Sequence, residues 1–348
     1  MSEHDRPSAP ATISDVAAAA GVSIRTVSRV LNASPKVGGV TRTRIEEIIA
    51  RLGFHPNSRA RGLAAGRSYL IGVVQDDPNN HVIGLLQRGI AEVCSAHGYE
   101  LVVHPSRYDD PDVVENIGTF VRRSKVDGVI LLPPLSELAT VATALAALRL
   151  PVVALAAVRV AGHPAMVVGK EREAAAALAD HLFDLGHRRI GMITGPLRFL
   201  SSDQRRRGFG EALAARGGSL VPALVCEGDY GFASGLAAAR RLLALDDPPT
   251  AIFAANDIMA AAVIKVARER GIAVPGQLSV VGFDDADLAS MITPALTTIR
   301  RPLAGMAADA TRALIDMIAG GVDARADRVV ELELVPRASS GALQVAHA

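Results

Sequence analysis

Residues 12–32 read TISDVAAAAGVSIRTVSRVLN, a stretch in which two short helical patterns meet at a glycine. Thr12 and Asp15 have the spacing of a capping box, which begins a helix. Gly21 interrupts the pattern, and Ser23 is a favourable N-cap for a second helix. The stretch therefore predicts two helices joined by a tight turn.

The second predicted helix is amphipathic, with Val27, Val30 and Leu31 on its apolar face. Its opposite face carries the polar side chains of Arg25, Thr26, Ser28 and Arg29. This layout is typical of a helix-turn-helix, in which a polar second helix enters a DNA groove. An ordinary helical hairpin has the same pattern, so these residues alone leave both interpretations open.

A third helix and the distribution of charge favour the DNA-binding interpretation. An apolar stripe with helical spacing runs through Ile45, Ile48, Ile49 and Leu52. Residues 1–67 contain ten Lys or Arg and five Asp or Glu, a net charge of about +5. The whole chain carries +1, so the remainder is near −4. A basic head on a slightly acidic body is expected of a protein with a DNA-binding module.

The segment from Thr12 to Leu63 resembles the DNA-binding head of the lactose/galactose repressor (LacI-type) family. The matching elements keep their spacing, and they are DVA at 15–17, AGVS at 20–23, TVSRVLN at 26–32, TR at 41–42, LGF at 52–54, PN at 56–57, Ala60 and Leu63. The resemblance implies a bacterial transcription factor that binds a palindromic double-stranded operator as a homodimer and responds to a small effector.

The resemblance also implies roles for residues of the second helix. Ile24, Arg25 and Arg29 match the family's base-reading positions, and arginine can bond bidentately to guanine. The positions that touch phosphate or brace the turn are Ser23, Thr26, Ser28 and Asn32. The family usually has a serine near position 38, where this chain has Gly38, so the resemblance does not extend to that phosphate contact.

Residues 57–67 allow two interpretations. Their three Arg and two Gly residues are typical of a flexible linker. The resemblance implies instead a hinge helix that is capped by Asn57 and ordered only on DNA. In that helix Leu63 is a minor-groove wedge, and Ala60 is the small residue beside it.

From Tyr69 onward, short apolar runs alternate with helical patterns, which predicts parallel sheets covered by helices. The alternation is too long for one small sheet, so two α/β lobes are expected. The resemblance covers residues 69–337 and implies a periplasmic-binding-protein-like core of two doubly wound lobes with a ligand cleft between them. Three crossovers are expected near Gly169, Thr298 and Arg328. The predicted organisation is an all-α helix-turn-helix head at 1–56, a hinge at 57–67 and an effector-binding and dimerisation domain at 68–348.

Candidate effector-binding residues follow from the rule that ligands bind at the carboxyl ends of parallel strands. Asn256 and Asp284 follow predicted strands and suit sugar hydroxyls, although Asn256 or Asp257 would also serve as a helix N-cap. We expect Asp284 to bind ligand and Asp257 to be structural. The resemblance adds Arg205, Arg301 and Tyr230, the last as a ring that stacks on the sugar. Asp77 and Asn80 follow the first predicted strand and could reach the cleft from the N-terminal lobe.

The N-terminal lobe departs from the family pattern at three places. Where the family often has Asp or Arg, this chain has Leu155-Ala156-Ala157. Lys170-Glu171 stands where Asp-Asn is common, and Leu132-Pro133-Pro134 is apolar. A less polar cleft wall is expected on that side, so the identity of the effector cannot be inferred from that of a well-known family member.

Other protein classes find little support in the sequence. It lacks the motifs of serine hydrolases, P-loop proteins and HExxH metalloenzymes, so no catalytic residue, cofactor or metal is predicted. Cys94 and Cys226 are expected to be buried thiols in a reducing compartment. The sequence has no secretory signal and no apolar run of membrane-spanning length, which argues against a periplasmic solute-binding protein.

The sequence thus predicts a cytoplasmic, nucleoid-associated repressor controlled by a sugar or sugar derivative. A C-terminal tail at 339–348 that is too short for a heptad helix favours a homodimer. One alternative is an activator or corepressor-dependent regulator with a nucleoside- or purine-like effector. Another is a sugar-processing enzyme on a similar α/β scaffold.

We expect Arg25→Ala to relax base preference at one operator position and to cost about 1–3 kcal/mol on the preferred site. The reason is the position of Arg25 on the polar face of the second helix. Binding curves on duplexes that differ at single positions measure this effect. Equal weakening on every duplex would assign Arg25 to a phosphate contact instead.

Overall fold

The structure, a computed structural model, describes residues 11–31, 34–54, 67–76, 80–321 and 327–343, except for the side chains of Asn80 and His81. The chain divides into two compact units, residues 1–69 and 70–348. The predicted hinge at 57–67 lies outside the described residues apart from Arg67. Five predicted site residues lie outside them too: Asn32, Asn57, Ala60, Leu63 and Asp77.

The described part of the first unit contains α1 (Ile13–Ala20), α2 (Ile24–Leu31) and α3 (Gly39–Leu52). Thr12 forms the predicted capping box: its Oγ1 accepts a bond from the Asp15 amide at 3.4 Å, and Asp15 Oδ2 accepts one from the Thr12 amide at 2.7 Å. Gly21 has φ of +64°, a left-handed conformation that a side chain would strain. This glycine therefore fixes the turn between the two helices.

The three helices share one apolar core. Its buried members come from all three helices and the segment after α3: Val16, Ala17, Ala20, Val27, Val30, Ile45, Ile48 and Phe54. Leu31 and Ile49 pack partly against this cluster. Leu52, which the helical spacing also placed on the apolar stripe, is exposed. The core leaves the polar face of α2 open to solvent, as the helix-turn-helix pattern predicts.

Strand and helix alternate along the second unit. Its strands are β1 (Leu70–Gln75), β2 (Glu100–Pro105), β3 (Gly128–Leu131), β4 (Val152–Ala156), β5 (Met166–Gly169), β6 (Ile190–Thr194), β7 (Val225–Glu227), β8 (Ala251–Ala254), β9 (Ser279–Val281), β10 (Thr298–Arg300), β11 (Arg328–Val330) and β12 (Glu333–Val335). Its helices are α4 (Asn80–Ala96), α5 (Val113–Ser124), α6 (Ala139–Ala147), α7 (Glu171–Asp184), α8 (Leu200–Ala215), α9 (Phe232–Leu242), α10 (Asp257–Glu269), α11 (Asp287–Met291) and α12 (Leu303–Ile318).

Two parallel sheets define two lobes. The N-terminal lobe is built on a six-stranded sheet of order β11-β5-β4-β3-β1-β2, and the C-terminal lobe on a four-stranded sheet of order β7-β6-β8-β9. Strands β3 and β4 are buried along their whole length, as expected where helices cover both faces of a parallel sheet. The predicted α/β fold with two lobes is confirmed.

The chain passes between the lobes at three places. After β5 it enters α7, whose apolar face packs in the C-terminal lobe with β6 and β8. After β10 it enters α12, which packs against α4 and β4 of the N-terminal lobe. After β11 it returns to β12, which pairs antiparallel with β10. These passages lie within a few residues of Gly169, Thr298 and Arg328, where crossovers were predicted.

The core of the C-terminal lobe is centred on aromatic rings. The rings of Phe209 and Phe253 lie 4.9 Å apart between centroids, and those of Phe253 and Phe283 lie 6.4 Å apart. All three side chains are fully buried. Phe283 directly precedes Asp284, so this packing fixes the loop that carries a predicted ligand residue. In the part of the chain that the structure describes, no helix is long and apolar enough to cross a bilayer.

We expect Gly89→Ala to lower the free energy of unfolding by about 1–3 kcal/mol or more, because overpacking a close contact is costly. A Cβ atom at Gly89, on α4, would lie 2.1 Å from the Ala304 carbonyl oxygen on α12, and a backbone atom cannot move aside. Gly84 is the matched control on the same helix, since a Cβ there meets nothing within 4 Å. Gly84→Ala should raise stability by about 0.5–1 kcal/mol through helix propensity. Urea unfolding measures both, and equal effects at the two positions would contradict the prediction.

Candidate functional site

Helix α2 and the residue before it carry six of the ten residues predicted to contact DNA. Ile24 keeps 50% of its surface exposed although it is apolar, and Ser23 and Arg25 are exposed as well. Thr26, Ser28 and Arg29 are half-buried. Within the described part of the head, neither the Arg25 nor the Arg29 guanidinium forms a hydrogen bond or an ion pair. Both cations therefore have no counter-charge within the described part of the head.

The start of α2 is held by Ser23. Its Oγ accepts a bond from the Thr26 amide at 3.2 Å and lies 2.9 Å from Thr26 Oγ1. The two hydroxyls thus brace the turn, which is one of the roles that the resemblance implied for them. The start of α3 differs, because Gly38 precedes it and provides no side-chain cap.

A cavity in the second unit lies between the two lobes and brings predicted ligand residues together. Its polar lining comes from Asp76, Ser201, Arg205, Tyr230, Asp284 and Arg301. Four of these, Arg205, Tyr230, Asp284 and Arg301, were predicted from the sequence. Asp77 lies outside the described residues, and the side chain of Asn80 is not described.

A buried network of four charges lies at this cleft: Arg205, Asp284 and Arg301 line the cavity, and Glu171, which is not part of the lining, pairs with both arginines. Glu171 accepts from Arg205 Nε at 2.8 Å and pairs with Arg301 Nη2 at 3.0 Å. Arg301 Nη1 also lies 2.9 Å from Asp284 Oδ1, and Arg205 Nη2 lies 3.8 Å from the same oxygen. The four side chains are between 2% and 11% exposed. Two cations and two anions leave the network with no net formal charge.

Charge pairing in this network overcomes the cost of burial. Burial alone would raise the pKa of Glu171, but the charges of Arg205 and Arg301 outweigh it and lower that pKa. Burial likewise opposes the charge of Arg205, yet Glu171, with smaller contributions from Tyr230 and Asp284, raises the Arg205 pKa. Glu171 and Arg205 are therefore held in their ionised forms by each other's charge. Glu171 was expected only as a departure from the family pattern, and its pairing with both arginines was not predicted.

Tyr230 closes one side of the cleft in an unusual conformation. Its φ of +69° is left-handed, and its hydroxyl lies 2.6 Å from Ser202 Oγ. A Cβ atom at Gly195 would lie 2.2 Å from Tyr230 Cζ, so the ring needs glycine at that position. The Arg205 guanidinium lies 6.0 Å from the ring centroid. The ring is held in place and lines the cleft, as stacking on a ligand would require.

Asn256 and Asp257 serve the architecture of the site. Asn256 Oδ1 accepts from the Met259 amide at 2.9 Å as the N-cap of α10, and its Nδ2 donates to the Tyr230 carbonyl at 2.9 Å. Both polar groups of the amide are thus used inside the protein, and Asn256 is not part of the cavity wall. The structure places it in the helix cap, the alternative to its predicted role in effector binding.

Asp257 braces the loop that carries Asp284. Its carboxylate accepts from the Ala286 amide at 2.7 Å and from Thr298 Oγ1 at 2.6 Å. Burial, followed by the charge of Asp284, raises the pKa of Asp257 to about 8. Asp257 therefore has the structural position that we expected for it.

The wall of the cleft on the N-terminal lobe is mostly apolar. The side chains that line it come from α4, the turn after β3 and the end of β4, and they are Val82, Ile83, Leu86, Pro133, Pro134, Leu155 and Ala156. Leu303 and Met306, from α12, continue this surface. The less polar wall expected from the sequence is therefore present among the described residues.

Glu137 links the two lobes and was not predicted as a site residue. It lies in a 3₁₀ turn after β3, and its carboxylate accepts from the amides of Leu200 at 2.7 Å and Ser201 at 3.1 Å. These amides begin α8 of the C-terminal lobe, where a helix dipole favours an anion. Burial, followed by the nearby charge of Glu171, nevertheless raises the pKa of Glu137 to about 7. No local pattern in the sequence marks Glu137, because its partners are backbone groups 63 and 64 residues away.

The described residues contain no group of three His, Cys, Asp or Glu side chains that could hold a metal ion. Cys94 and Cys226 are free and buried, as expected. Burial, followed by the charge of Glu100, raises the pKa of Cys94 to about 11, so its thiol is protonated at neutral pH.

Comparisons with known proteins match both units. The family model described as bacterial regulatory proteins, lacI family, matches residues 12–57, and that of a periplasmic binding protein-like domain matches residues 179–340. Catabolite control protein A of Priestia megaterium is 34% identical over 87% of this chain and 91% of its own length.

Two solved structures of regulators are similar over nearly the whole chain. The complex of transcriptional regulator CelR with cellobiose has a TM-score of 0.70 and 31% identity, covering 95% of this chain and 100% of the other. The lac repressor dimer bound to operator and the anti-inducer ONPF has a TM-score of 0.81 and 29% identity, covering 96% of this chain and 100% of the other.

We expect Glu137→Gln to remove part of the pH dependence of stability. The folded state binds the Glu137 proton more tightly than the unfolded state, because the pKa is raised from 4.5 to about 7. Its contribution to stability is therefore complete below pH 4.5 and declines by about 3 kcal/mol as the pH rises to 7. Urea unfolding of both proteins at several pH values measures the difference. If the free energy of unfolding changes with pH equally in Glu137→Gln and in the unaltered protein, the prediction is wrong.

Proposed function

The chain belongs to the LacI family of bacterial regulatory proteins, and we propose that it acts as a repressor whose operator affinity is set by a carbohydrate effector. It is a DNA-binding transcription regulator and not an enzyme. The effector would bind between the two lobes of the second unit, and the exposed face of α2 would contact the operator.

The observation that carries this proposal is the set of Arg205, Arg301 and Asp284 in the cleft lining, held by the buried Glu171. Buried charges are retained only when they are paired, and a set that also faces a cavity has a use beyond folding. Carboxylate and guanidinium groups together provide acceptors and donors for hydroxyl groups. The CelR structure, which this chain resembles over 95% of its length, contains cellobiose.

We further propose that the chain acts as a homodimer on a palindromic operator in the cytoplasm, in association with the nucleoid. The lac repressor structure that it resembles is a dimer bound to operator. A two-fold dimer presents two recognition helices to two half-sites of matching symmetry. Light scattering of the full chain at micromolar concentration tests the dimer.

Selection of duplexes from a random library by the full chain tests DNA binding. A palindromic sequence should be enriched, and Arg29→Ala should abolish the enrichment. Arg241→Ala is the matched control, because Arg241 is an exposed arginine on α9. Failure of the unaltered chain to enrich any sequence would defeat the proposed function.

We expect Asp284→Asn to abolish the effector response while operator binding persists, because the change removes the carboxylate that pairs with Arg301 at the cleft.

Leu63→Ala, at a position outside the described residues, should do the reverse and weaken operator binding while effector affinity is retained. DNA-binding curves at fixed salt and calorimetry with mono- and disaccharides measure the two effects. A normal effector response in Asp284→Asn would show that the cleft assignment is wrong. Normal operator binding by Leu63→Ala would make residues 57–67 a tether only.

A further inference from the structure

We infer that Glu137 is a positioning residue for lobe closure: with Tyr108 it forms a latch that holds the N-terminal lobe against residues 198–201 of the C-terminal lobe, and this latch weakens as the pH rises. The inference rests on the proposed function only where it treats the cavity between the lobes as an effector site. The latch itself is tested without ligand or DNA.

The latch joins the lobes through three hydrogen bonds. The Glu137 carboxylate accepts from the Leu200 amide at 2.7 Å and from the Ser201 amide at 3.1 Å. The Tyr108 hydroxyl donates to the Arg198 carbonyl at 3.1 Å. None of these residues belongs to a crossover, so the latch is a separate, non-covalent connection between the lobes.

Apolar packing surrounds these bonds. The rings of Tyr108 and Phe199 meet edge to face with 4.9 Å between their centroids. Leu200 packs against the core of the N-terminal lobe, and Tyr108 packs against the cores of both lobes. Phe199 is 4% exposed and Glu137 is 7% exposed. Separation of the lobes would therefore return both apolar surface and a buried carboxyl group to water.

The latch borders the cavity between the lobes. Phe199 and Ser201 line this cavity, and so does Asp76, whose Oδ2 accepts from the Tyr108 amide at 2.8 Å. Glu137 and Tyr108 themselves are not among the described lining residues. They would therefore act on the closure of the cleft without touching a ligand.

The surroundings of Glu137 favour its protonated form. Burial has the largest effect on its pKa, and the charge of Glu171 on α7 acts in the same direction. The Leu200 and Ser201 amides and the charge of Arg205 on α8 oppose both. The balance raises the pKa of Glu137 from 4.5 to about 7. A protonated carboxyl group still has an oxygen that accepts from an amide, and it no longer repels Glu171.

The other titratable groups around the latch favour one charge state near neutral pH. Burial, followed by the charge of Glu137, raises the pKa of Tyr108, so its hydroxyl keeps the proton that it donates. His163 donates to a carbonyl of the turn that carries Glu137, at 2.8 Å, and burial lowers the His163 pKa, which favours the uncharged ring. The charges of Arg198 and Arg159 act on Tyr108 and His163 respectively, and arginine does not lose its proton in proteins.

Closure of the lobes and protonation of Glu137 are therefore linked. With the lobes apart the carboxyl group is in water and has its ordinary pKa of 4.5, so the closed form binds the proton more tightly. The contribution of this proton to closure is complete below pH 4.5 and is lost as the pH rises through about 7. Between pH 6 and pH 8 the equilibrium constant for closure should fall about tenfold.

Hydrogen exchange of the Leu200 and Ser201 amides measures the latch directly. Both amides lie in the first turn of α8, where the helix provides no acceptor, and both bond to Glu137. The full chain is used without ligand, and each exchange rate is corrected for the intrinsic rate at that pH. Protection of both amides should fall about tenfold between pH 6 and pH 8. Glu137→Gln should abolish this fall, because the side chain is then uncharged at both pH values.

Two further variants separate the latch from general effects on this loop. Glu227 Oε1 accepts from the Leu197 amide at 3.2 Å, so it bonds to the same loop from within the C-terminal lobe. Glu227→Gln is therefore the matched control and should keep the fall in protection. Tyr108→Phe removes the bond to the Arg198 carbonyl and should lower protection several-fold at both pH values, while the ratio between them is retained.

Spin labels on the two lobes show whether the latch governs closure. Glu115→Cys on α5 and Arg241→Cys on α9 place the labels at exposed positions, one on each lobe. The fraction of molecules with a long distance between the labels should rise from pH 6 to pH 8 in the chain that retains Glu137. Adding Tyr108→Phe should raise this fraction at both pH values.

Equal protection of the two amides at pH 6 and pH 8, or a fall in protection that persists in Glu137→Gln, would overturn the inference. Exchange that changes with pH while the label distances stay constant would overturn it as well, because the contact would then be local. The measurements on the chain that retains Glu137 decide the matter even if a variant fails to fold. None of these results concerns DNA, so the assignment as a regulator would stand, whereas failure of duplex selection would defeat the proposed function and leave the latch measurements as they are.

Discussion

The second unit depends on the pairing of Glu171 with two arginines. Glu171 begins α7, Arg205 lies on α8, and Arg301 lies in the crossover between β10 and α12. An unpaired buried charge in this position would cost several kcal/mol of stability. Each of the three elements must therefore hold its place for the charged side chains of the other two to stay buried. The network thus ties the crossover to the C-terminal lobe at the point where the cleft opens.

Packing around the network turns it into a rigid binding surface. The Arg205 guanidinium lies 3.9 Å from the ring centroid of Phe283, which belongs to the aromatic core of the lobe. Asp284 follows with φ of +116°, a strained value that the bonds of Asp257 to the same loop compensate. The core, the loop and the ion network therefore support one another, and the ligand-facing atoms are set before a ligand arrives.

The sequence predicted the elements whose signals are local. The capping box at Thr12, the left-handed Gly21 and the apolar spacing of α2 depend on residues within a few positions of each other, and all are present. The long buried strands were equally evident as apolar runs. Strands β10, β11 and β12 were not predicted as strands, because their sequences TIR, RVV and ELV mix polar with apolar residues instead of forming an apolar run.

The candidate site was predictable only in part, because its chemistry depends on contacts between distant residues. Arg205, Asp284 and Arg301 were expected near the cleft, but their common partner Glu171 was not, since nothing in the local sequence links it to them. Asn256 has the residue type and strand-end position of a ligand group. Its side-chain oxygen instead caps α10, and its side-chain nitrogen donates to the Tyr230 carbonyl.

The two walls of the cleft differ in the substitutions that they tolerate. On the C-terminal lobe, changing one charge leaves its partners buried and unpaired, so that wall is constrained by folding as well as by ligand binding. On the N-terminal lobe, Val82 and Ala156 line the cleft, and a small polar side chain at either position would leave no buried charge unpaired. Ligand selectivity can therefore change at the apolar wall while the ion network, and the lobe that depends on it, stays as it is.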